Sequence, residues 1–470
     1  MGPIWNKQDL AEFQKRGWRE SDATLQLEQL MRGCAAAKVI DSCSLGSGIA
    51  ALNVEERNRA LEEAGLARRQ RCMRFIPASG AASRMFSMLR GELPRTLLDR
   101  LNQDILEFPF WSEKDHQDLS AMPLEERGQE GARRMLDSVN GWSHLPKGMI
   151  PFHRYLDGQK RNSFEEHILE WSLWMDGAPV HFTVPADFEE AIRTNFDHSN
   201  HITTSIQFGY TDTLALDLNA NEVVREESGK LLFRPGGHGA LLENLNQVAQ
   251  NADYVFIRNI DNVVPKGKME ARNEEQAVLL GICRMRTTER NLLIAKAEAK
   301  AEGWRKECLV WLEQFDQSIG DDASDDEILR RLDCPIRVAG MVKNEGKPGG
   351  GPFWVERSDG AIVPAIVESA ELPGEFLGKG SHFNPVDLVC STQNAAGNPY
   401  DLNQFSDASS YFTATKDWNG KKIRILERPG LWNGGMANWL TQFIEMPPST
   451  FAPVKTVLDL LDPQRRKDCK

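Results

Sequence analysis

Alternating strand-like and helix-like segments dominate the chain between about residue 73 and residue 260. Short apolar runs, such as residues 180–184 and 254–260, alternate with segments of helical composition, such as residues 240–249. Parallel strands need long crossover connections, usually helices, so this alternation is typical of an α/β domain with a mainly parallel sheet. The sequence therefore predicts an α/β fold.

Differences in the pattern of apolar and polar residues divide the chain into four parts. Residues 1–72 have apolar residues at roughly helical spacing and are predicted to form a helical N-terminal segment. The alternating part comprises residues 73–268, and an apolar helical stripe with a solvated acidic loop around Asp321 marks residues 269–334 as a helical insertion. Residues 335–470 again contain strand-like apolar runs and are predicted to complete the α/β domain.

Charge and composition exclude several classes of function. The 470 residues include 56 Lys and Arg and 68 Asp and Glu, a net charge of −12 at pH 7. This balance argues against a nucleic-acid binder that neutralises phosphates. No apolar run reaches the roughly 18 residues of a membrane span, and the N-terminus lacks a signal-peptide core. The eight cysteines and nine histidines are scattered without the spacing of a zinc site. We expect a cytoplasmic protein with neither membrane nor nucleic-acid partner.

A turn of small residues follows the first strand-like run of the alternating part. Residues 78–81 are all small, and a helix is predicted to begin at Arg84. Backbone N–H groups at a strand-to-helix turn can approach a phosphate, and a guanidinium adds a fork of donors. A tight turn that simply needs small residues explains the pattern equally well.

A glycine-rich run and a strand-end aspartate form the second candidate motif. The run Pro235-Gly236-Gly237-His238-Gly239 precedes a predicted helix, and Asp261 follows the next apolar strand. Ligand groups in α/β sheets lie at the carboxyl ends of strands, and Mg²⁺ usually takes one or two carboxylates. An aspartate that only caps the next turn is the alternative for Asp261.

Two lysines lie between apolar or proline residues rather than in polar surface segments. They are Lys147, in Leu145-Pro146-Lys147-Gly148, and Lys455, in Phe451-Ala452-Pro453-Val454-Lys455. Most lysines are solvated surface charges. Lysines in such rigid frames are better candidates for phosphate clamps.

In their order along the chain, these motifs resemble the uridylyltransferase branch of the sugar nucleotidyltransferases, which includes UTP–glucose-1-phosphate uridylyltransferases and UDP-N-acetylhexosamine pyrophosphorylases. The whole chain also resembles a bacterial family of unassigned function. Matching segments lie between about residues 73 and 461: Ala78 to Met85, Pro146-Lys147-Gly148, Ser205-Ile206-Gln207, Pro235 to Gly239, Asp261-Asn262, Gly349-Gly350-Gly351, Ile366-Val367-Glu368, Phe383-Asn384-Pro385 and Phe451 to Lys455.

The resemblance implies a mixed, mainly parallel, Rossmann-like sheet of the nucleotide-diphospho-sugar transferase type. Residues 73–268 would be its nucleotide-binding part and residues 335–470 its sugar-binding and C-terminal part. The implied reaction joins a sugar 1-phosphate to a nucleoside triphosphate, expected to be UTP, with Mg²⁺ as cofactor and pyrophosphate as the second product. The implied roles are catalytic for Arg84, Lys147 and Lys455; nucleotide-binding for Ala78, Ser79, Gly80, Ala81, Gln207, Gly237, His238 and Gly239; sugar-binding for Gly350, Glu368 and Asn384; and metal-binding for Asp261 and Asp387.

Two other functions remain open at this point. The protein could be a glycosyltransferase that uses a finished nucleotide sugar, or a non-catalytic nucleotide-sugar binding protein, because a fold does not fix a function. Ala82 replaces the second glycine of the usual G-x-G loop and keeps the non-catalytic alternative open. Residues 427–436 are interpreted as either a substrate-side loop or a buried turn anchored by Trp432. For His153 and His181, a core position with satisfied hydrogen bonds is expected.

Overall fold

A computed structural model describes residues 5–33, 37–139, 141–196, 201–316, 319–320, 322–344, 350–357 and 360–467. Asp321 of the acidic loop and Gly349 of the glycine run lie outside the described residues, as do residues 1–4 of the N-terminal segment.

Helices occur in the N-terminal segment, between the strands, and in residues 269–334. None of the helices formed by the described residues is long and apolar enough to cross a membrane. The α-helices are α1 (Lys7–Lys15), α2 (Glu20–Arg32), α3 (Val54–Ala67), α4 (Arg95–Asp104), α5 (Glu113–Ala121), α6 (Leu124–Leu136), α7 (Ser163–Trp174), α8 (Glu189–Asn195), α9 (Leu242–Ala249), α10 (Lys266–Glu298), α11 (Trp304–Glu313), α12 (Asp325–Leu332) and α13 (Pro463–Lys467).

The strands are mostly short and begin within the N-terminal segment. They are β1 (Val39–Ser42), β2 (Ser44–Leu45), β3 (Gly48–Ala50), β4 (Cys72–Pro77), β5 (Pro151–Arg154), β6 (Lys160–Asn162), β7 (Val180–Val184), β8 (Ile202–Ile206), β9 (Thr213–Asp217), β10 (Glu222–Val223), β11 (Phe233–Arg234), β12 (Tyr254–Arg258), β13 (Ile336–Lys343), β14 (Gly351–Glu356), β15 (Ile362–Val367), β16 (His382–Phe383), β17 (Asp387–Ser391), β18 (Phe412–Trp418), β19 (Lys421–Glu427) and β20 (Leu440–Glu445).

The chain forms two compact units, each assembled from three segments. The first unit comprises Met1–Gln70, Gln207–Val255 and Leu279–Glu445. The second unit comprises Arg71–Ile206, Phe256–Val278 and Met446–Lys470. Each unit is described separately below.

The second unit contains parallel strands in the order β4, β7, β8, with Arg74 opposite Val180 and Val180 opposite Ile202. All five residues of β7 are buried, as expected for a parallel strand covered on both faces. Helix α7 begins at a capping box, in which the Asn162 side chain accepts a hydrogen bond from the Glu165 amide. A separate apolar cluster of this unit packs residues of α4 and α6 against the C-terminal segment.

The two-stranded antiparallel sheet of β5 and β6 also belongs to the second unit, and most of the other strands belong to the first unit. Strand β13 pairs in parallel with β20 and antiparallel with β17, and β20 pairs in parallel with β3. A second sheet has the order β10, β9, β19, β18, and a third has the order β1, β14, β15. Residues of α1 and α2 pack on the second sheet through an apolar cluster that includes Phe13, Leu27 and Leu216. The mixed α/β class with mainly parallel pairing in its large sheet is confirmed.

One local prediction is wrong: no α-helix begins at Arg84. Two 3₁₀ turns, Ala82–Arg84 and Ser87–Leu89, follow the small-residue loop, and the next α-helix is α4. The Ser87 hydroxyl donates to the Arg84 carbonyl at 2.8 Å, a local side-chain bond of the kind that competes with helix formation. The loop therefore lacks the field of an α-helix N-terminus.

Candidate functional site

The small-residue loop of the second unit is held at both ends by backbone hydrogen bonds. The Ala78 amide donates to the Thr183 carbonyl of β7 at 2.9 Å, and the Lys147 amide donates to the Gly80 carbonyl at 3.2 Å. A β-carbon added at Gly80 would meet no heavy atom within 4 Å. The loop therefore lies beside the turn that carries Lys147 and leaves space for a ligand at Gly80.

Lys147 and Asp261 form an ion pair. Their Nζ and Oδ2 atoms are 2.7 Å apart, and only 16% and 20% of the two side chains are exposed. The turn is fixed by its next residue, because a β-carbon on Gly148 would lie 2.5 Å from the Phe164 ring. Asp261 follows the end of β12 by three residues, which places the pair at the carboxyl end of a strand, where α/β sheets bind ligands.

The C-terminal segment of the second unit contacts the same region. The Val454 amide donates to the Asp261 carbonyl at 3.0 Å, and the Val457 amide donates to the Met85 carbonyl at 3.0 Å. Lys455 lies between these two contacts with an exposed side chain. The second unit therefore brings into one neighbourhood the predicted site residues Ala78, Ser79, Gly80, Ala81, Arg84, Lys147, Asp261 and Lys455.

Buried arginines hold the backbone next to Asp261. Arg258 and Arg272 donate to the Asn262 carbonyl at 3.0 and 2.6 Å. The Glu170 carboxylate accepts from Arg258 at 2.6 Å and from Arg74 at 3.3 Å. Burial raises the pKa of Glu170, but attraction to Arg258 and Arg74 outweighs burial, so that the pKa lies below its ordinary value. Glu170 is therefore charged and balances part of the buried positive charge.

None of the sequence motifs predicts this arginine cluster. Arginines are seldom fully buried. The spacing patterns that identify buried residues in a sequence are patterns of apolar residues, and they do not reveal a buried arginine. The available signals are Arg74, within the otherwise apolar strand β4, and Arg258, at the end of the largely apolar strand β12. A guanidinium at such a position must find a buried partner.

In the first unit, His238, Trp432 and Glu368 form a second cluster. The rings of His238 and Trp432 stack with centroids 4.3 Å apart, and the Trp432 indole donates to Glu368 at 3.2 Å. Nδ1 of His238 accepts from the Leu431 amide at 3.0 Å, so the proton of the neutral ring lies on Nε2, 4.0 Å from a Glu368 oxygen. Burial lowers the pKa of His238, although Glu368 opposes this shift.

Close backbone approaches explain the glycines around this second cluster. Gly237 has φ +71°, and a β-carbon on Gly239 would lie 2.1 Å from the Pro429 carbonyl. The Asn384 amide donates to the Gly350 carbonyl at 3.2 Å. Trp432 is buried, as the buried-turn interpretation of its segment predicts. The first unit thus contains Gly237, His238, Gly239, Gly350, Glu368, Asn384 and the previously unassigned Trp432.

Three further predicted positions are Gln207, Asp387 and His181, and the contacts of Gln207 and His181 are with residues outside the two clusters described above. Gln207, in the first unit, donates to Asp212 at 3.4 Å, and Asp387 is buried at the start of β17. His181 contacts the hydroxyls of Thr203 and Ser205, each at 2.8 Å. The expectation of a core histidine with satisfied hydrogen bonds is confirmed for His181, and burial lowers its pKa to about 4.

The donor set at Asp261 fits a magnesium ion that is shared with a substrate. Among the described residues, no group of three or more His, Cys, Asp or Glu side chains could hold a metal ion on its own. Mg²⁺ often binds through one carboxylate, with phosphate and water oxygens supplying the other ligands. Asp261 offers one such carboxylate, which forms an ion pair with Lys147.

Similar solved structures include two pyrophosphorylases. A variant of UDP-glucose pyrophosphorylase from Leishmania major, in complex with UDP-glucose, is 14% identical, with a TM-score of 0.46 over 97% of this chain and 78% of that chain. The uridine diphosphate N-acetylglucosamine pyrophosphorylase from Trypanosoma brucei, in complex with an inhibitor, is 13% identical, with a TM-score of 0.43 over 93% and 74%. A search of curated proteins gave no significant match. The family model described as "Domain of unknown function (DUF4301)" matches residues 6–466, and the chain belongs to that family.

Proposed function

We propose that this protein is a sugar-1-phosphate nucleotidyltransferase. A phosphate oxygen of the sugar 1-phosphate attacks the α-phosphorus of a nucleoside triphosphate, expected to be UTP. The bond from the α-phosphorus to the oxygen that bridges to the β-phosphorus breaks, and pyrophosphate leaves with that oxygen. The observation that carries this proposal is the 2.7 Å Lys147–Asp261 pair beside the small-residue loop and the Lys455 segment.

The reaction needs charge neutralisation and positioning more than covalent chemistry by the protein. Arg84 would neutralise the departing pyrophosphate, while Lys147 and Lys455 would hold the α-phosphate and the sugar phosphate. The amides of the loop around Gly80 would donate to phosphate oxygens. Asp261 would hold Mg²⁺, which would supply a further positive charge next to the phosphates.

The cluster in the first unit supports a role in sugar or base recognition. Glu368 presents a carboxylate, and neutral His238 directs its Nε2 proton toward it. Hydrogen-bonding groups of this kind discriminate between substrates by their hydroxyl groups. We therefore infer that Glu368 and Asn384 face sugar hydroxyls, while the His238 loop faces the nucleotide. Asp387 remains a candidate for a second metal ligand, and Gln207 for contact with the base.

The test is pyrophosphate release from UTP and the other triphosphates with a panel of sugar 1-phosphates. Asp261→Asn should lower Mg²⁺-dependent turnover by about 10²–10³-fold, because a transition-state charge partner is lost. Asp104→Asn is the matched control in the same unit, since Asp104 forms an exposed 3.9 Å ion pair with Arg100. Turnover in Asp261→Asn equal to that of the control would contradict the proposed role.

The same assay separates the alternatives. A glycosyltransferase would consume a nucleotide sugar and release a nucleoside diphosphate rather than pyrophosphate. A non-catalytic binding protein would bind nucleotide sugars in calorimetry without turnover across the whole panel.

A further inference from the structure

A cavity of about 390 Å³ lies in the second unit, away from the residues that the proposed reaction uses. Arg154, Arg465 and Arg466 line it, together with one carboxylate, that of Glu107. The described residues that line it do not include Arg84, Lys147, Asp261 or Lys455.

The lining of this arginine cavity has a net positive charge. Three guanidiniums face one carboxylate, and Glu107 lies 2.9 Å from the guanidinium of Arg466. His153 adds no charge, because burial lowers its pKa and its Nε2 accepts a hydrogen bond from Arg465 at 2.9 Å. The side chain of Glu166 contacts His153 and Tyr155 and is fully buried. Of the other two guanidiniums, that of Arg154 is exposed, and that of Arg465 donates to His153 and to two backbone carbonyls.

Apolar residues form the rest of the lining. Phe152, Leu156 and Leu460 contribute to it, together with the ring of Tyr155, whose hydroxyl donates to Glu166. A volume of 390 Å³ is within the range of about 300–1,000 Å³ typical of small-molecule sites and exceeds what a lone phosphate ion fills. Guanidinium forks match phosphate oxygens, and an apolar wall suits a carbon skeleton.

We propose that the arginine cavity binds a small organic phosphate. The phosphate contacts Arg154 and Arg466, and the organic part lies against Phe152 and Leu460. Arg465, which also lines the cavity, donates to the Val263 carbonyl at 3.1 Å and to the Ala452 carbonyl. These two carbonyls belong to the segments that carry Asp261 and Lys455, so the buried arginine connects the cavity to both.

Calorimetric titration with glycerol 3-phosphate, without nucleotide or Mg²⁺, tests the proposal independently of any turnover. The double variant Arg154→Gln/Arg466→Gln should weaken binding at least tenfold, and Leu156→Glu should weaken it by charge repulsion without removing a native contact. Leu156 is 77% exposed, so this second variant is expected to fold normally. Arg100→Gln, an exposed arginine elsewhere in the unit, should bind as the wild type does.

Lys147→Met distinguishes the arginine cavity from the candidate active site. Under the proposal it leaves glycerol 3-phosphate affinity within twofold of wild type. Loss of binding in Lys147→Met with retention in the arginine double variant would overturn the proposal, as would the absence of binding to the wild type. Failure of the pyrophosphate-release assay alone would leave this result unaffected.

Discussion

Replacing Glu170 by glutamine tests whether the buried arginine cluster holds the second unit together. Glutamine has nearly the same shape, so the substitution removes the negative charge without opening a cavity. Glu170, Arg74 and Arg258 have side chains that are 0% exposed. The variant therefore leaves buried guanidiniums without the carboxylate that faces them.

The expected cost follows from the contacts of one carboxylate oxygen. Oε1 of Glu170 accepts from Arg258 at 2.6 Å, from Gln276 at 3.0 Å and from Arg74 at 3.3 Å. Removing one partner of a fully buried ion pair costs about 3–5 kcal/mol, because the remaining charge stays desolvated. We expect Glu170→Gln to lower the free energy of unfolding at pH 7 by this amount.

Equilibrium urea denaturation followed by circular dichroism, with hydrogen exchange at β4 and β12, measures this effect. Asp104→Asn, which breaks an exposed pair, should cost less than about 1 kcal/mol. The folded-state pKa of Glu170 is lowered, so its contribution is present above the unfolded-state pKa and lost as pH falls through the folded-state pKa. The difference in free energy of unfolding between wild type and Glu170→Gln should therefore become smaller as the pH falls. A cost for Glu170→Gln no larger than that for Asp104→Asn would refute the reasoning.

Three further outcomes are expected. Lys147→Met should lower the rate of pyrophosphate release by about 10²-fold or more, and a rate within twofold of wild type would exclude Lys147 from the mechanism. Gly148→Ala should cost about 1–3 kcal/mol in urea denaturation, because its β-carbon would lie 2.5 Å from the Phe164 ring, and Phe164→Leu in that background should restore part of the loss. Burial and repulsion by nearby arginines lower the pKa of His167 to about 3. Unfolding therefore takes up a proton below about pH 6.5, so stability falls by about 2 kcal/mol between pH 7 and pH 5. His167→Gln should lose correspondingly less over this interval, and an identical pH dependence would contradict the assignment.

The α/β class could be predicted because it depends on local alternation, which a sequence displays directly. The proximity of Lys147 and Asp261 also has a sequence signal, since ligand groups gather at the carboxyl ends of strands. The conformation after the small-residue loop could not be predicted in the same way. There, the Ser87 hydroxyl bonds to the Arg84 carbonyl, and 3₁₀ turns replace the expected α-helix.

The contact between His238 and Trp432 in the first unit could not be predicted from the sequence, for a different reason. His238 and Trp432 are separated by almost two hundred residues. Near their contact, the Gly239 backbone lies so close to the Pro429 segment that a β-carbon on Gly239 would be 2.1 Å from the Pro429 carbonyl oxygen. Long-range packing of this kind has no periodicity or spacing rule. The glycines were recognisable in the sequence as sites of close approach, but the partner segment was not.

The candidate site combines rigid backbone placement with exchangeable charges. Asn262 is fixed by two buried guanidiniums, and the Asp261 carbonyl is fixed by the Val454 amide. The Asp261 side chain, in contrast, is held by Lys147, a flexible ammonium whose three donors can turn to another anion. In the proposed function, Lys147 would bind the polyphosphate and Asp261 would hold a divalent cation, so that neither charge would be left uncompensated. The scaffold would then remain fixed while the ion pair separates, which is the preorganisation that electrostatic catalysis requires.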